Sequence, residues 1–160
     1  MDPLHIWLTM AVSALVLGLH GGYYGALADA CLQIGTGLEG ATKGARGFQD
    51  AITPPSSTSA RLINWIATLL MYGLSWFYLG FSGLAAVLVL RFLTSVIIGM
   101  VLKSTPPRRH FCHVVYHSMV NREASYTKKG DYVRAEAMAD LRARFERSPF
   151  MQQLVQQRLL

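Results

Sequence analysis

The chain contains little charge before residue 103. Asp, Glu, Lys and Arg make up only 15% of its 160 residues, whereas hydrophobic residues make up 52%. Soluble globular domains carry about 25% charged residues. Two stretches lack charge altogether, residues 4–28 and 62–90, and Arg91 alone separates the second from a further apolar stretch at 92–102. This pattern predicts an integral membrane protein.

Cysteine is also scarce, and so is charge at the start of the chain. Cys31 and Cys112 are too few for a disulfide framework. No Lys or Arg precedes the first apolar stretch, although secretory signals and transit peptides begin with basic residues. We therefore expect this stretch to remain in the mature protein.

Sequence motifs of catalysis are missing. The chain has no phosphate-binding loop with its lysine, no GxSxG elbow, no HExxH and no acidic pair inside an apolar stretch. We expect a non-enzymatic protein without a cofactor, although bound lipid is expected.

The apolar stretches have lengths that predict three transmembrane helices. Residues 4–28 exceed the roughly 20 residues that a helix needs to cross a bilayer. Residues 62–102 are too many for one crossing, and Gly80-Phe81-Ser82-Gly83 interrupts them with a turn-like sequence. We therefore predict spans at about 62–79 and 84–102, and an all-α integral membrane protein.

The distribution of basic residues predicts the orientation. Through Leu102 four basic residues balance four acidic ones, but from Lys103 onward eleven basic residues face five acidic ones. Because Lys and Arg are retained on the inner side, we expect the N-terminus outside and the C-terminus inside. This predicts a transmembrane domain at 1–102 and a basic cytoplasmic or matrix-side helical tail at 103–160.

The predicted inner loop, residues 29–61, has the pattern of an amphipathic helix. Its apolar residues recur every three or four positions, at Ile34, Leu38, Ala41, Ala45, Phe48 and Ile52. Its glycines weaken a helix, so it requires a packing partner. In the tail, residues 110–120 and 132–147 read as helices, the second with an apolar stripe of Val133, Ala137, Leu141 and Phe145, and a short segment begins at Ser148-Pro149.

Small residues form a strip along the first predicted span: Gly18, Gly21, Gly22, Gly25 and Ala26. Such strips let membrane helices approach closely and associate by van der Waals contact. The strip packs either against this chain's own spans or against another subunit or copy, and the spacing alone does not separate the two.

Arg91 is an ionisable residue within an apolar stretch. Insertion measurements put the cost of a central Arg at roughly 2.5 to 3.5 kcal/mol. No acidic residue lies in any predicted span. Within the chain, the Arg91 guanidinium can therefore hydrogen bond only to neutral groups such as those of Tyr72, Ser75, Ser82 and Thr94. Arg91 therefore snorkels to the interface, or lies at the interface because the hairpin is elsewhere, or pairs with a partner's carboxylate, a lipid phosphate or an anionic permeant.

A histidine-rich segment follows the last predicted span. His110, His113 and His117 share one face of a helix beside Cys112, and imidazole suits zinc, copper or iron. A polar belt at the membrane edge explains the same residues. His20, within the first span, has the chemistry of a haem ligand or proton relay, but also that of a hydrogen-bonded packing residue.

The basic residues of the tail favour lipid over nucleic acid. Lys103, Arg108 and Arg109 directly follow the last span, where each basic residue gains about 1 kcal/mol from anionic headgroups. Basic and acidic residues intermix further along the tail, and a membrane tethers it, so no nucleic-acid partner is expected.

These features favour an accessory or scaffold subunit of a multi-subunit membrane complex, in the bacterial or mitochondrial inner membrane. Its spans would pack against other integral membrane subunits, and its tail would dock on the inner face. A small homo-oligomeric pore or transporter with Arg91 near the path is the alternative. A redox or metal-binding membrane subunit is the third possibility.

Overall fold

The structure, a computed structural model, describes residues 3–39 and 54–155 and is all-helical with no strand in these ranges. The prediction of an all-α protein is confirmed for this part of the chain. Residues 40–53, which include much of the predicted amphipathic loop helix, lie outside the described residues. The helices are α1 (Pro3–Glu39), α2 (Pro55–Leu102), α3 (Arg109–Lys128), α4 (Tyr132–Arg147) and α5 (Pro149–Val155).

Helix α2 reverses direction at Gly80. This residue has φ 68° and ψ −163°, a conformation that glycine adopts without steric penalty. The guanidinium Nη1 of Arg91 lies 3.4 Å from the hydroxyl of Tyr72. In a straight helix these residues would be about 28 Å apart, so the numbered segments 55–79 (the first arm) and 81–102 (the second arm) fold back on each other. A Cβ at Gly83 would overlap the Leu79 side chain.

Three helix boundaries differ from those predicted, and one of them is the end of α3, which lies at Lys128 and not at residue 120. Helix α1 continues past residue 28 to Glu39, so residues 29–39 extend α1 and are not the start of a loop. Within this extension the Gln33 amide donates to the Asp29 carboxylate at 2.9 Å, one helical turn away. Helix α2 begins at Pro55, ahead of residue 62, and proline is favoured in the first turn of a helix because its missing N–H is not needed there.

The chain divides into two compact units. Unit 1 consists of residues 1–26 and 56–102, and unit 2 of residues 27–55 and 103–160. In sequence, the change at residue 103 coincides with the start of the predicted tail. The end of α1 belongs to unit 2, an arrangement that the sequence did not predict.

In unit 1 the three helical segments run up, down and up. A Cβ at Gly18 would meet Thr94, and a Cβ at Gly22 would meet Ile98, so α1 and the second arm are parallel. Helix α1 and the first arm are antiparallel, because Arg61 donates to the Tyr24 carbonyl whereas Met71, later in the first arm, lies in one cluster with Met10, earlier in α1.

Burial in unit 1 is inverted relative to a soluble domain. Asn64, Thr68 and Ser75 are buried on the first arm, with relative exposures of 7%, 4% and 0%. The large apolar side chains of both arms are mostly exposed, among them Leu62, Ile63, Trp65, Leu69, Leu70, Trp76, Phe77, Phe81, Val89, Phe92, Ile97 and Met100. Two helical stretches, Pro3–Leu38 and Ser59–Leu102, are long and apolar enough to cross a membrane. Only 6% of the most apolar window of the second is buried, unlike the core helix of a soluble protein.

Unit 2 has a larger apolar core than the small buried apolar cluster of unit 1. One face of α1 contributes four buried residues, and α3 and α4 contribute the others: Leu27, Ala30, Cys31, Ile34, Phe111, Cys112, Val115, Met119, Ala135, Met138 and Phe145. The stripe predicted on α4 is only partly buried, because Phe145 lies in the core but Val133 is 80% exposed. The buried face of α4 instead begins at Ala135.

Polar contacts join α3 to α4 at the surface of unit 2. The Arg142 Nε lies 2.9 Å from a Glu123 carboxylate oxygen, and Arg142 Nη1 lies 3.5 Å from Glu146. The Tyr116 hydroxyl donates to the same Glu146 carboxylate at 3.1 Å. The hydrogen bond with Tyr116 and the charges of the two carboxylates raise the pKa of Arg142, so its charge is retained throughout the accessible pH range.

Candidate functional site

Arg91 lies well inside unit 1. It is eleven residues beyond Gly80 on the second arm, or about 16 Å along the helix, which is about half the thickness of a hydrocarbon core. The Tyr72 hydroxyl accepts a hydrogen bond from Nη1 at 3.4 Å, and the guanidinium carbon lies 6.0 Å from the centre of the Tyr72 ring. Nε is buried and has no acceptor among the described residues.

The charge of Arg91 is not neutralised within unit 1. Residues 1–26 and 56–102 contain a single acidic residue, Asp2, at the start of the chain. Tyr72 offers a neutral oxygen at a long hydrogen-bond distance and a ring near the outer limit for a cation–π contact. The site therefore combines a positive charge with one donor, Nε, that has no acceptor in the described part of the chain.

The hydroxyl groups of Thr94 and Ser75 donate hydrogen bonds within their own helices. Thr94 donates to the Leu90 carbonyl at 2.8 Å and Ser75 to the Met71 carbonyl at 2.8 Å. Each bond spans one helical turn, a common way for membrane helices to satisfy a hydroxyl. Thr94 and Ser75, both suggested by sequence as partners for Arg91, thus donate to other acceptors. Among the described residues, the hydrogen-bond partner of the guanidinium is Tyr72.

Asn64 is a second buried polar group that the sequence analysis missed. Its side chain is 7% exposed, and its Oδ1 accepts no hydrogen bond from the described residues. Thr68 donates to its backbone carbonyl at 2.6 Å. The sequence did contain a signal for this burial, because Asn64 is a lone amide in an apolar stretch. Such a residue in a membrane helix usually faces the interior of the helix bundle.

The glycine strip of α1 packs against this chain's own arms over most of its length. A Cβ at Gly18 would lie 2.8 Å from the Arg91 carbonyl oxygen, and one at Gly22 would lie 2.7 Å from that of Ser95. Gly21 faces the Ser95 hydroxyl, 3.3 Å from an added Cβ. Ala26 is 5% exposed, whereas an added Cβ at Gly25 would have no described atom within 4 Å.

The three histidines and the cysteine proposed as ligands do not all converge on one point. The Cys112 Sγ is buried and directed at the Pro107 carbonyl at 3.7 Å. Burial raises the pKa of this thiol, which disfavours the thiolate that metals bind. His113 and His117 are exposed and adjacent, and no group of three His, Cys, Asp or Glu among the described residues is arranged to hold a metal.

The remaining candidate residues have ordinary surroundings. The His20 ring packs against Tyr24, with ring centroids 4.6 Å apart. Lys103 pairs with Asp29 at 3.4 Å, although its side chain remains 60% exposed. Arg108 and Arg109 are exposed at the start of α3.

Comparison of the chain with protein-family models, with curated proteins and with solved structures gives no match. Functional inference therefore depends on the residues and geometry described above.

Proposed function

We propose that this protein is a non-enzymatic accessory or scaffold subunit of a multi-subunit integral membrane complex, crossing the membrane three times. The main support is Arg91, which has no acidic partner and no acceptor for its Nε among the described residues, in a unit whose outer surface is apolar. A carboxylate from another subunit would supply both the missing charge and the missing acceptor.

Three crossings are supported by the register of unit 1. Each of the three segments is long enough to cross, and they alternate in direction, as successive crossings must. The aromatic side chains near Gly80, including Trp76, Tyr78 and Phe81, are exposed as in the aromatic belt of a membrane interface. With the basic tail inside, the Gly80 turn and the N-terminus would face out.

The structure weakens two reasons for expecting an outside partner. Gly18 and Gly22 contact the second arm of the same chain, and Phe145 of the tail is buried in unit 2. Gly25 remains as the open part of the strip. Intersubunit contact is therefore expected at Arg91 and around Gly25, and lipid headgroups are expected at Arg108 and Arg109.

The homo-oligomeric pore is the second candidate. A path between copies needs polar side chains on an outer face, whereas Asn64, Thr68 and Ser75 are buried within one chain. Arg91, partly exposed, is the group that would line such a path. This leaves the pore with less support than the accessory subunit.

The test compares Arg91→Leu, Arg91→Lys and Arg61→Leu in the native membrane, measuring insertion and co-purifying chains. Arg91→Leu should insert at least as well as the wild type, because the cost of the guanidinium disappears, but should lose the partner. Arg91→Lys should retain it only partly, since an ammonium lacks the planar fork that binds carboxylates. Arg61→Leu removes the same charge from an exposed position and should keep the partner.

Tyr72→Phe serves as a second control, because it removes the hydroxyl that contacts Arg91 and leaves the charge in place. It should retain the partner. Unchanged co-purification for Arg91→Leu would exclude the intersubunit ion pair. A purified ring of this chain alone, with ion flux altered by Arg91→Leu, would support the pore instead.

A further inference from the structure

Two neighbouring imidazoles on α3 form a pair that the proposed function does not use. His113 and His117 are one helical turn apart, and both are exposed. Their Nε2 atoms are 3.2 Å apart, and their ring centroids 4.3 Å apart. The two nitrogens therefore meet at one point on the surface of unit 2.

This separation fits a shared metal ion. Zinc binds imidazole nitrogen at about 2.0 to 2.1 Å, so two nitrogens on one ion are about 2.9 Å apart at a right angle and about 3.3 Å apart at the tetrahedral angle. The observed 3.2 Å lies between these values. The same distance also suits a hydrogen bond between two neutral imidazoles, one donating and one accepting. The separation of the two nitrogens is therefore compatible with a shared metal ion.

The described surroundings of the pair supply two ligands, His113 and His117. Cys112 is buried and directed at Pro107. No third His, Cys, Asp or Glu in the described ranges 3–39 and 54–155 completes a metal group with the pair. The other coordination positions would remain for water or for a side chain of another protein.

The ligand type selects the class of metal. Neutral imidazole suits zinc, copper and nickel, whereas magnesium and calcium prefer oxygen ligands. We propose that His113 and His117 form a two-histidine chelate that captures a divalent transition metal and leaves it accessible for coordination by a partner. The site lies outside unit 1 and is independent of Arg91 in its chemistry.

The test uses the full chain in detergent without a polyhistidine tag, titrated with Zn²⁺ against a competing chelator dye. His113→Ala and His117→Ala should each weaken binding by at least about tenfold, since even the loss of a supporting group costs 10- to 100-fold. His110→Ala is the matched control, a third exposed histidine of the same helix, and should bind like the wild type. Circular dichroism establishes that each variant keeps its helices.

His117→Gln adds a variant that retains a polar group able to hydrogen bond to His113 but removes the imidazole. It should lose metal as His117→Ala does. Titration with Co²⁺ in place of Zn²⁺ should likewise show binding in the wild type that is lost in His113→Ala and in both His117 variants. Equal affinity in the wild type and the paired variants, or saturation only at millimolar Zn²⁺, would overturn the proposal and leave a hydrogen-bonded histidine pair.

Discussion

Replacing Gly22 by alanine adds one methyl group where α1 meets the second arm. Its Cβ would lie 2.7 Å from the Ser95 carbonyl oxygen and 2.8 Å from the Ile98 Cβ, whereas ordinary contacts begin at 3.4 Å. The nearest obstructing atom belongs to the backbone, so a rotamer change cannot relieve the overlap. The second arm must move away from α1.

The expected loss of stability follows from this movement. Overpacking a close contact costs about 1 to 3 kcal/mol. At about 1.4 kcal/mol per factor of ten, the equilibrium would shift toward the unfolded state by roughly 5- to 150-fold. Van der Waals contact is a main source of association between membrane helices, so separation of the arms removes attraction as well.

Gly25→Ala provides the control on the same helix. An added Cβ there has no described atom within 4 Å, and alanine has the higher helix propensity. Unfolding of both variants and the wild type would be followed by circular dichroism in mixed micelles of increasing denaturing detergent. Gly25→Ala should match or exceed the wild type, and Gly22→Ala should unfold at lower detergent. Equal midpoints for the two variants would refute the close packing of α1 on the second arm.

Three further predictions concern topology, the polar contacts and the buried thiol. In a background without native cysteines, Ser82→Cys should label only from outside and Lys129→Cys only from inside; labelling of both from one side would reject the three-span topology. Arg142→Met should lower the free energy of unfolding by about 1 kcal/mol or less because Arg142 is partly exposed, and Arg144→Met, whose partner lies on its own helix, should change it less. Cys112 should react slowly with iodoacetamide at pH 7 in the folded protein and rapidly after denaturation, since burial both raises the pKa of its thiol and limits access; equal rates in the two states would contradict this environment.

Much of the fold follows from the sequence because long apolar helices leave strong local signals. Uncharged stretches longer than a bilayer and a Gly-Phe-Ser-Gly interruption predicted the apolar helices and the reversal at Gly80. Local sequence also determines where α4 starts, because the Asp131 side chain caps the helix by accepting a hydrogen bond from the Arg134 amide. The extension of α1 to Glu39 was not predicted, because the uncharged stretch ends at residue 28 and the polar residues that follow were assigned to a loop.

Contacts between distant residues determined the rest. The sequence placed a small-residue strip on α1, but only the tertiary structure assigned Gly18 and Gly22 to the second arm and left Gly25 open, since one helical face offers the same glycines to any neighbour. Likewise, sequence identified Arg91 as a charge without an acid, while the fold brought Tyr72 to it across the reversal and left Nε without an acceptor among the described residues. Spacing put His110, His113 and His117 on one face with Cys112 beside them, yet packing turned the cysteine into the core of unit 2 and left one close imidazole pair. Periodicity fixes the face on which a residue lies, and only tertiary packing decides what meets that face.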